Sequence, residues 1–208
     1  MRILRSNILA AILCLLPLIP LWHYDFVSLQ DYPAHFARLK IASEYANSDF
    51  FQENFSLQFF KGISPLPYLA LDLFVNRLLP FLDTDTAMRL FISLYIILYA
   101  FGLSLLARKF KLGFNLLLLH NLPLMYSIFF HLGFLNFLFS IPMFLFSIFV
   151  LEKFEENIKL NSLFIGLLSL MMYLSHIFAF FAFCILFVCR FVSRREKLRS
   201  HAYIFLAI

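Results

Sequence analysis

Long apolar runs separated by short polar stretches follow one another over most of the chain. The runs over 7–23, 87–107, 112–130, 133–151, 162–175 and 177–192 each predict a helix that crosses a membrane, and 202–208 predicts the truncated start of another. We therefore expect an all-α fold in which residues 1–208 form a single transmembrane domain, a polytopic helical bundle of about six spans plus the start of a seventh. Because the last run breaks off, we expect the chain to be the N-terminal fragment of a longer protein.

The stretch between the first two spans, residues 24–86, is the most polar part of the chain and predicts a large outer loop. It holds eight of the twelve acidic residues. Within it, 31–47 predicts a helix with Asp31 at its cap and Pro33 in its first turn, where a proline loses no hydrogen bond. Residues 50–64 are expected to be irregular.

The apolar stretch 66–82 inside this loop allows two interpretations. It could cross the membrane, or it could lie along the membrane surface as an amphipathic helix. Asp72, Asn76 and Arg77 would be expensive at mid-bilayer, which favours the surface position. The outer loop is therefore expected to contain membrane-surface helices.

The last apolar stretch, 162–192, is either one long span or two spans hinged at His176. If it forms two spans and 66–82 stays outside, twelve of the 17 lysines and arginines face the cytoplasm. If it forms one span and 66–82 crosses, the cations divide about evenly between the two sides. The positive-inside rule favours the first arrangement, with a cytoplasmic N-terminus in the bacterial inner membrane.

Composition agrees with a membrane protein. The chain is 62% hydrophobic and has 30 phenylalanines, and its 14% of charged residues lies well below the usual quarter. The net charge of +5 arises from cations in loops between spans, so it does not imply nucleic acid as a partner. Cys14, Cys184 and Cys189 lie inside apolar runs and indicate small hydrophobic residues, not a disulfide or metal framework.

Titratable side chains gather just after the first span. Asp31, His35 and Arg38 are spaced by four and three residues, so a helix would place them on one face, with Lys40 close by. In the favoured topology, His131 lies at an outer turn, with Asn136 just below it, and His176 lies at an outer hinge. Three separate segments would then bring polar groups to one membrane face, which is the pattern of a functional site.

Simpler explanations exist for each of these residues. Asp31 could be a helix cap with its charge in water, and Arg38 and Lys40 could face lipid head groups. Asp31 and His35, four residues apart, could bind a divalent metal, but two ligands do not define a metal site.

Two other patterns favour structural roles. Asp83-Thr84-Asp85 matches the DxD pattern of soluble sugar-nucleotide transferases, but capping of the next helix by Asp85 explains it. His120-Asn121-Leu122-Pro123 indicates a kinked, hydrogen-bonded span and not a site.

Four segments carry a family resemblance: Gln30-Asp31-Tyr32-Pro33-Ala34-His35, Pro65-Leu66-Pro67-Tyr68, Ala87-Met88-Arg89-Leu90 and Ala107-Arg108-Lys109. With these segments, the layout resembles the GT-C superfamily of polytopic glycosyltransferases, such as the protein O-mannosyltransferase and aminoarabinose transferase types. The resemblance covers nearly the whole chain and implies an essential acid soon after the first span.

The resemblance implies a sugar donor carried on a polyprenyl phosphate and an acceptor at the outer, periplasmic face. Relatives often have a second acid at the next outer turn, where this chain offers His131 and Asn136, and a lysine where it has His176. The resemblance therefore does not specify a cofactor, and a divalent metal is possible. The expected partners are membrane lipids and the lipid-linked sugar.

The chemistry of such a transfer suggests roles for the residues. Asp31 is the candidate base that takes the acceptor proton. Candidates for binding the leaving phosphate are the nearby cations and imidazoles: His35, Arg38, Lys40, His131 and His176.

Two other functions remain open on the sequence. A transporter or flippase would call for polar groups along a path at mid-membrane and for internal repeats, neither of which the pattern indicates. In a non-enzymatic membrane protein, the outer polar cluster would be incidental.

Overall fold

A computed structural model of the chain describes residues 9, 12–56, 67–153 and 158–193. Regular structure in these residues is helical throughout, and no strand occurs among them, which confirms the all-α prediction. The helices are α1 (Leu18–His23), α2 (Tyr32–Glu44), α3 (Asp49–Asn54), α4 (Ala70–Leu78), α5 (Thr84–Lys109), α6 (Phe114–Met125), α7 (Ile128–Leu132), α8 (Leu135–Lys153), α9 (Ile158–Ser175) and α10 (Ile177–Ser193).

The first apolar run is interrupted in its described part. Residues 12–15 are helical, a turn follows at 16–17, and α1 starts after Pro17. Proline cannot donate the backbone hydrogen bond that would continue a helix. The hydroxyl of Tyr126 donates to the Pro17 carbonyl, so a carbonyl at this break is satisfied by α6 and its connection.

Residues 24–86 contain more helix in their described part than their sequence suggests. A short 3₁₀ turn, Tyr45–Asn47, follows α2, and Ser48 then caps α3 by accepting a hydrogen bond from the Phe51 amide at 3.3 Å. Residues 49–54 are thus helical, so the prediction of irregular structure from residue 50 is wrong in this part. The rest of that prediction, from 57 onward, lies outside the described residues.

The ambiguous stretch 66–82 forms only the nine-residue helix α4 in its described part. Nine residues rise about 14 Å. A bilayer core is roughly 30 Å thick, so α4 is too short to cross it. Leu71 and Val75 are buried on its inner side, and Leu73 is exposed on the other.

Helix α5 is the longest, with 26 residues, and begins before the predicted start at 87. Asp83 caps it by accepting a hydrogen bond from the Thr86 amide at 2.9 Å. The prediction that Asp85 is the capping residue is therefore wrong. Among the described helices, α5 alone has both the length and the apolar composition needed to cross a membrane.

The predicted span 112–130 is divided into two helices. Helix α6 ends at Met125, and α7 begins at Ile128. Pro123 lies in the last turn of α6, where it removes a backbone donor and disturbs the helix. Asn121 accepts from the Tyr99 hydroxyl at 2.8 Å and donates to the Leu117 carbonyl at 2.8 Å, so this segment is hydrogen-bonded, as its sequence predicts.

The last apolar stretch forms two helices, α9 and α10, separated at His176. This is the break that the two-span interpretation requires. Helix α9 begins at residue 158 and not at 162, and its 18 residues rise about 27 Å.

The core centres on α8, which packs along α5 and also along α9. Phe91 of α5 stacks on Phe139 of α8 with ring centroids 4.7 Å apart. Gly102 lets the two helices approach closely, since a Cβ there would lie 3.1 Å from Leu145 Cβ. Helix α4 contacts all three core helices and also α2, so it connects α2 to the bundle.

Candidate functional site

The candidate site begins where the start of α2 meets the turn between α7 and α8. The amide of Gln30 donates to the His131 carbonyl at 2.9 Å, and the amide of Asp31 donates to the Leu132 carbonyl at 3.2 Å. Gly133 has a φ of 82°, and a Cβ on it would lie 3.0 Å from the Asp31 nitrogen. Two segments about a hundred residues apart are therefore in direct backbone contact at this point.

Asp31 occupies the N-cap position of α2, with Pro33 in the first turn, as its sequence predicts. Its side chain nevertheless accepts no capping hydrogen bond. The residue is half-buried, and its backbone carbonyl accepts from the His35 amide at 3.0 Å. The carboxylate is thus not engaged in capping the helix.

His35 is half-buried between two polar partners. Its Nε2 lies 3.3 Å from the Gly133 carbonyl, and its Nδ1 lies 3.4 Å from Arg38 Nη2. A carbonyl only accepts and a guanidinium only donates, so this arrangement requires the neutral imidazole with its proton on Nε2. Burial, followed by the charge of Arg38, holds the pKa of His35 below its ordinary value.

Arg38 extends the cluster to α4. Its guanidinium donates to Asp72 Oδ2 at 2.9 Å, with the Asp72 side chain 15% exposed and that of Arg38 52% exposed. Burial raises the pKa of Asp72, although Arg38 acts in the opposite direction. Because Arg38 remains half in solvent, part of its guanidinium is accessible to an incoming anion.

Asp72 is a member of the cluster that sequence reasoning missed. In the sequence, Asp72 indicates only that residues 66–82 are costly to place at mid-bilayer. The surface position that this favours is on the same side as the expected position of Asp31, His35 and Arg38. That shared position is the signal from which its place in the cluster could be predicted.

The other predicted residues have different positions. Lys40 is exposed, and its amino group lies 3.9 Å from Glu44 on its own helix, so its ion pair is with Glu44 and not with Asp72. His131 joins the cluster through its backbone carbonyl, while its exposed side chain lines a neighbouring cavity.

His176 is enclosed by aromatic rings at the break between α9 and α10. Its ring contacts Tyr68 and Phe137 edge-on, with centroids 4.7 and 5.0 Å apart. Its Nδ1 lies 3.4 Å from the Phe178 amide. None of its contacts in the described part of the chain is to Asp31, His35 or Arg38, so the aromatic enclosure forms a separate environment.

Asn136 connects the site to the start of α4. Its side chain is buried, accepts from the Leu71 amide at 2.8 Å and donates to the Tyr68 carbonyl at 2.9 Å. The Leu69 amide also donates to the Leu174 carbonyl at 2.7 Å. Asn136 thus holds the first residues of α4, the helix that carries Asp72. This positioning role was not predicted from the sequence.

A cavity of about 530 Å³ opens beside His131. Its walls come from α1 and the segment that joins α1 to α2, and from α7 and the residue that follows α6. They are largely apolar: Pro20, Leu21, Tyr24, Asp25, Phe26, Val27, Ser28, Leu29, Tyr126, Phe130 and His131. Such a cavity next to a polar cluster can hold the apolar part of an amphiphilic molecule.

A second polar network, centred on Arg89, supports this end of the bundle. The guanidinium donates to the carbonyls of Leu21, Tyr24 and Asp25, and it pairs with Asp85, which also accepts from the Tyr32 hydroxyl at 2.7 Å. Arg89 is 6% exposed. The network satisfies the carbonyls at the end of α1, so it is structural, and it explains Asp85.

The cluster offers a carboxylate, a neutral imidazole and a half-exposed guanidinium within one end of the bundle. Within 12–56, 67–153 and 158–193, no three His, Cys, Asp or Glu side chains come together as metal ligands. Comparison with protein-family models, with curated proteins and with solved structures gives no match to this chain.

Proposed function

We propose that the chain is a membrane glycosyltransferase of the GT-C type, which moves a sugar from a polyprenyl-phosphate carrier to an acceptor at the outer membrane face. The observation that carries the proposal is the convergence of Asp31, His35 and the 131–133 turn, joined by hydrogen bonds although they lie far apart in sequence. A carboxylate that does not cap its own helix, in one cluster with a cation and near an apolar cavity, supplies the groups that this chemistry needs.

A polytopic position in the membrane is part of the proposal. Its support, beyond α5, is that α8, α9 and α10 are strongly apolar and that α9 and α10 expose large apolar side chains on their outer surfaces. On α10 these recur at helical spacing, at Phe178, Phe181, Ile185, Val188 and Val192. An apolar stripe of this kind is suited to lipid. In our proposal the cluster faces the periplasm of the bacterial inner membrane.

In the proposed reaction, an acceptor hydroxyl attacks the anomeric carbon of the donor sugar. The bond between that carbon and the phosphate oxygen breaks, and the phosphate leaves with the electron pair. The acceptor proton passes to the Asp31 carboxylate. The half-exposed Arg38 guanidinium stabilises the charge of the leaving phosphate, while Asp72 holds Arg38 in place. The cavity beside His131 receives part of the polyprenyl chain.

Asp31→Asn tests this assignment. The amide keeps the shape of the side chain but cannot accept a proton at neutral pH, so transfer should fall by at least about a hundredfold. The assay incubates the purified full chain with a panel of polyprenyl-phosphate hexoses and pentoses, and mass spectrometry detects loss of the sugar from the lipid. Asp49→Asn, an exposed acid of the same loop outside the cluster, is the matched control.

The proposal predicts that Asp49→Asn keeps the wild-type rate and that both variants accumulate in the membrane to the same level. Undiminished sugar release by Asp31→Asn would refute the role of Asp31. A wild-type protein that is inactive on every lipid-linked sugar in the panel would contradict the glycosyltransferase assignment.

A further inference from the structure

An apolar groove of about 410 Å³ lies on the side of α4 that faces away from the polar cluster. Leu73 and Phe74 of α4 form one wall, and Phe139, Met171 and Leu174 of α8 and α9 form the other. Its volume is in the range of sites that hold small molecules. The exposed side chains of Leu73 and Met171 mark it as open to the surroundings.

Helix geometry separates this groove from the candidate catalytic cluster. Leu73, Phe74 and Arg77 are spaced so that they share one side of α4. Asp72 points the other way, to Arg38 on α2. The two sides of one short helix therefore serve two environments, a polar cluster and an apolar groove.

Arg77 is the charged residue at this groove. It is exposed, and in the described part of the chain it has no acidic partner. A guanidinium matches a phosphate in charge and in geometry, because it can donate two parallel hydrogen bonds. An apolar groove with one such cation at its edge complements an amphiphile with a long apolar chain and an anionic phosphate head.

We propose that the groove between α4, α8 and α9 binds one acyl chain of an anionic glycerophospholipid, with the lipid phosphate on Arg77. The bound lipid fills the space beneath α4 and holds that helix against the bundle. The proposal rests on the membrane location proposed above, but it does not require glycosyl transfer. The lipid-binding proposal would therefore still hold if the protein proved not to be a glycosyltransferase.

The test uses the full chain in phosphatidylcholine vesicles that contain a trace of phosphatidylglycerol with a photoreactive group in its acyl chain. After illumination, mass spectrometry maps the labelled peptides. The proposal predicts labelling concentrated in 70–78 and 171–175, above that of the exposed stripe of α10, which samples ordinary bilayer lipid. Equal labelling of the groove peptides and of the α10 stripe would overturn the proposal.

Charge-loss variants test the phosphate contact. Arg77→Gln should lower labelling of the groove by about tenfold, the effect of losing a charged hydrogen bond. Lys111→Gln, an exposed cation at the far end of α5, should leave it unchanged. Leu73→Trp, at an exposed position of the groove wall, should also reduce labelling by occupying the space.

Equal labelling of the Arg77→Gln and Lys111→Gln variants would refute the contact with the phosphate. An excess of unlabelled phosphatidylglycerol should displace the probe. Displacement by polyprenyl phosphate instead would overturn the phospholipid assignment, because the groove would then belong to the donor of the proposed transferase.

Discussion

Gly133 is the residue that allows the α7–α8 turn to lie against Asp31. Its φ of 82° is in the left-handed region, and a Cβ at this position would lie only 3.0 Å from the Asp31 backbone nitrogen. Both features call for glycine at this position.

Gly133→Ala should destabilise the protein by about 2 kcal/mol or more, from left-handed strain together with the contact to Asp31. Thermal unfolding in detergent measures the loss. Gly113→Ala is the control, because its Cβ would meet nothing closer than Leu116 Cβ at 3.9 Å, and only about 0.5 kcal/mol is expected for an N-cap glycine. Equal losses in the two variants would contradict the close contact.

His35 gives the cluster a dependence on pH. It faces Arg38, Asp31 and Asp72, and burial together with Arg38 outweighs the two acids, so its pKa in the fold is lowered. The unfolded chain, with an ordinary histidine pKa of about 6.5, then takes up the proton first as pH falls. The stabilisation by neutral His35 is therefore complete above that value and is lost below it.

His35→Gln keeps a donor for the Gly133 carbonyl but cannot titrate in this range. The wild-type protein should exceed this variant in melting temperature at about pH 7.5, and the difference should narrow toward about pH 5.5. Melting curves of both proteins across this range measure it. A difference that widens toward acid would contradict a lowered pKa for His35.

At the scale of elements, Arg89 of α5 joins the end of α1 to the start of α5 through hydrogen bonds. Its guanidinium satisfies three backbone carbonyls and one carboxylate while 6% exposed. The lysine ammonium is one compact group, so it cannot donate to all of these oxygens as the planar guanidinium does.

Arg89→Lys should therefore cost roughly 2–4 kcal/mol, because buried carbonyls lose their donors. Arg108→Lys, an exposed position on the same helix, should change stability by less than about 0.5 kcal/mol. Chemical unfolding of the two variants compares them directly. A loss at Arg89 no larger than that at Arg108 would mean that the carbonyl contacts do not stabilise the fold.

Local pattern predicted the elements well where one signal dominated. The cation-terminated apolar run of α5, the start of α2 at Asp31 and Pro33, and the division of 162–192 at His176 were all readable from the sequence. The division of 112–130 was not anticipated, although Pro123 marks it. A proline in an apolar run can either kink a helix or end it, and the outcome depends on how the neighbouring helices pack.

The candidate site was predictable only in part, because its contacts join distant segments. Helical spacing places His35 and Arg38 together, and topology brings the 131–133 turn to the same end. Asp72 depends on how α4 lies across the bundle, which Asn136 determines through hydrogen bonds to the α4 backbone. The contact between Asp72 and Arg38 joins two different helices, so it does not appear as a periodic pattern in the sequence.

At the scale of the whole molecule, the proposed site requires that α2, α4 and the α7–α8 turn lie at one membrane face. Helix α5 rises about 39 Å, enough to separate that face from Phe110 at its other end. Helices α6 and α7 return the chain to the first face. The proposed site exists only if this alternation holds.

Cysteine accessibility tests this arrangement most directly. Single cysteines replace Ala34, Phe110 or His131, all exposed, in a protein lacking Cys14, Cys184 and Cys189. We predict that a membrane-impermeant maleimide labels positions 34 and 131 in intact cells and position 110 only after permeabilisation. Labelling of position 110 from outside, or of 34 and 131 from opposite sides, would contradict the shared face and the site built on it.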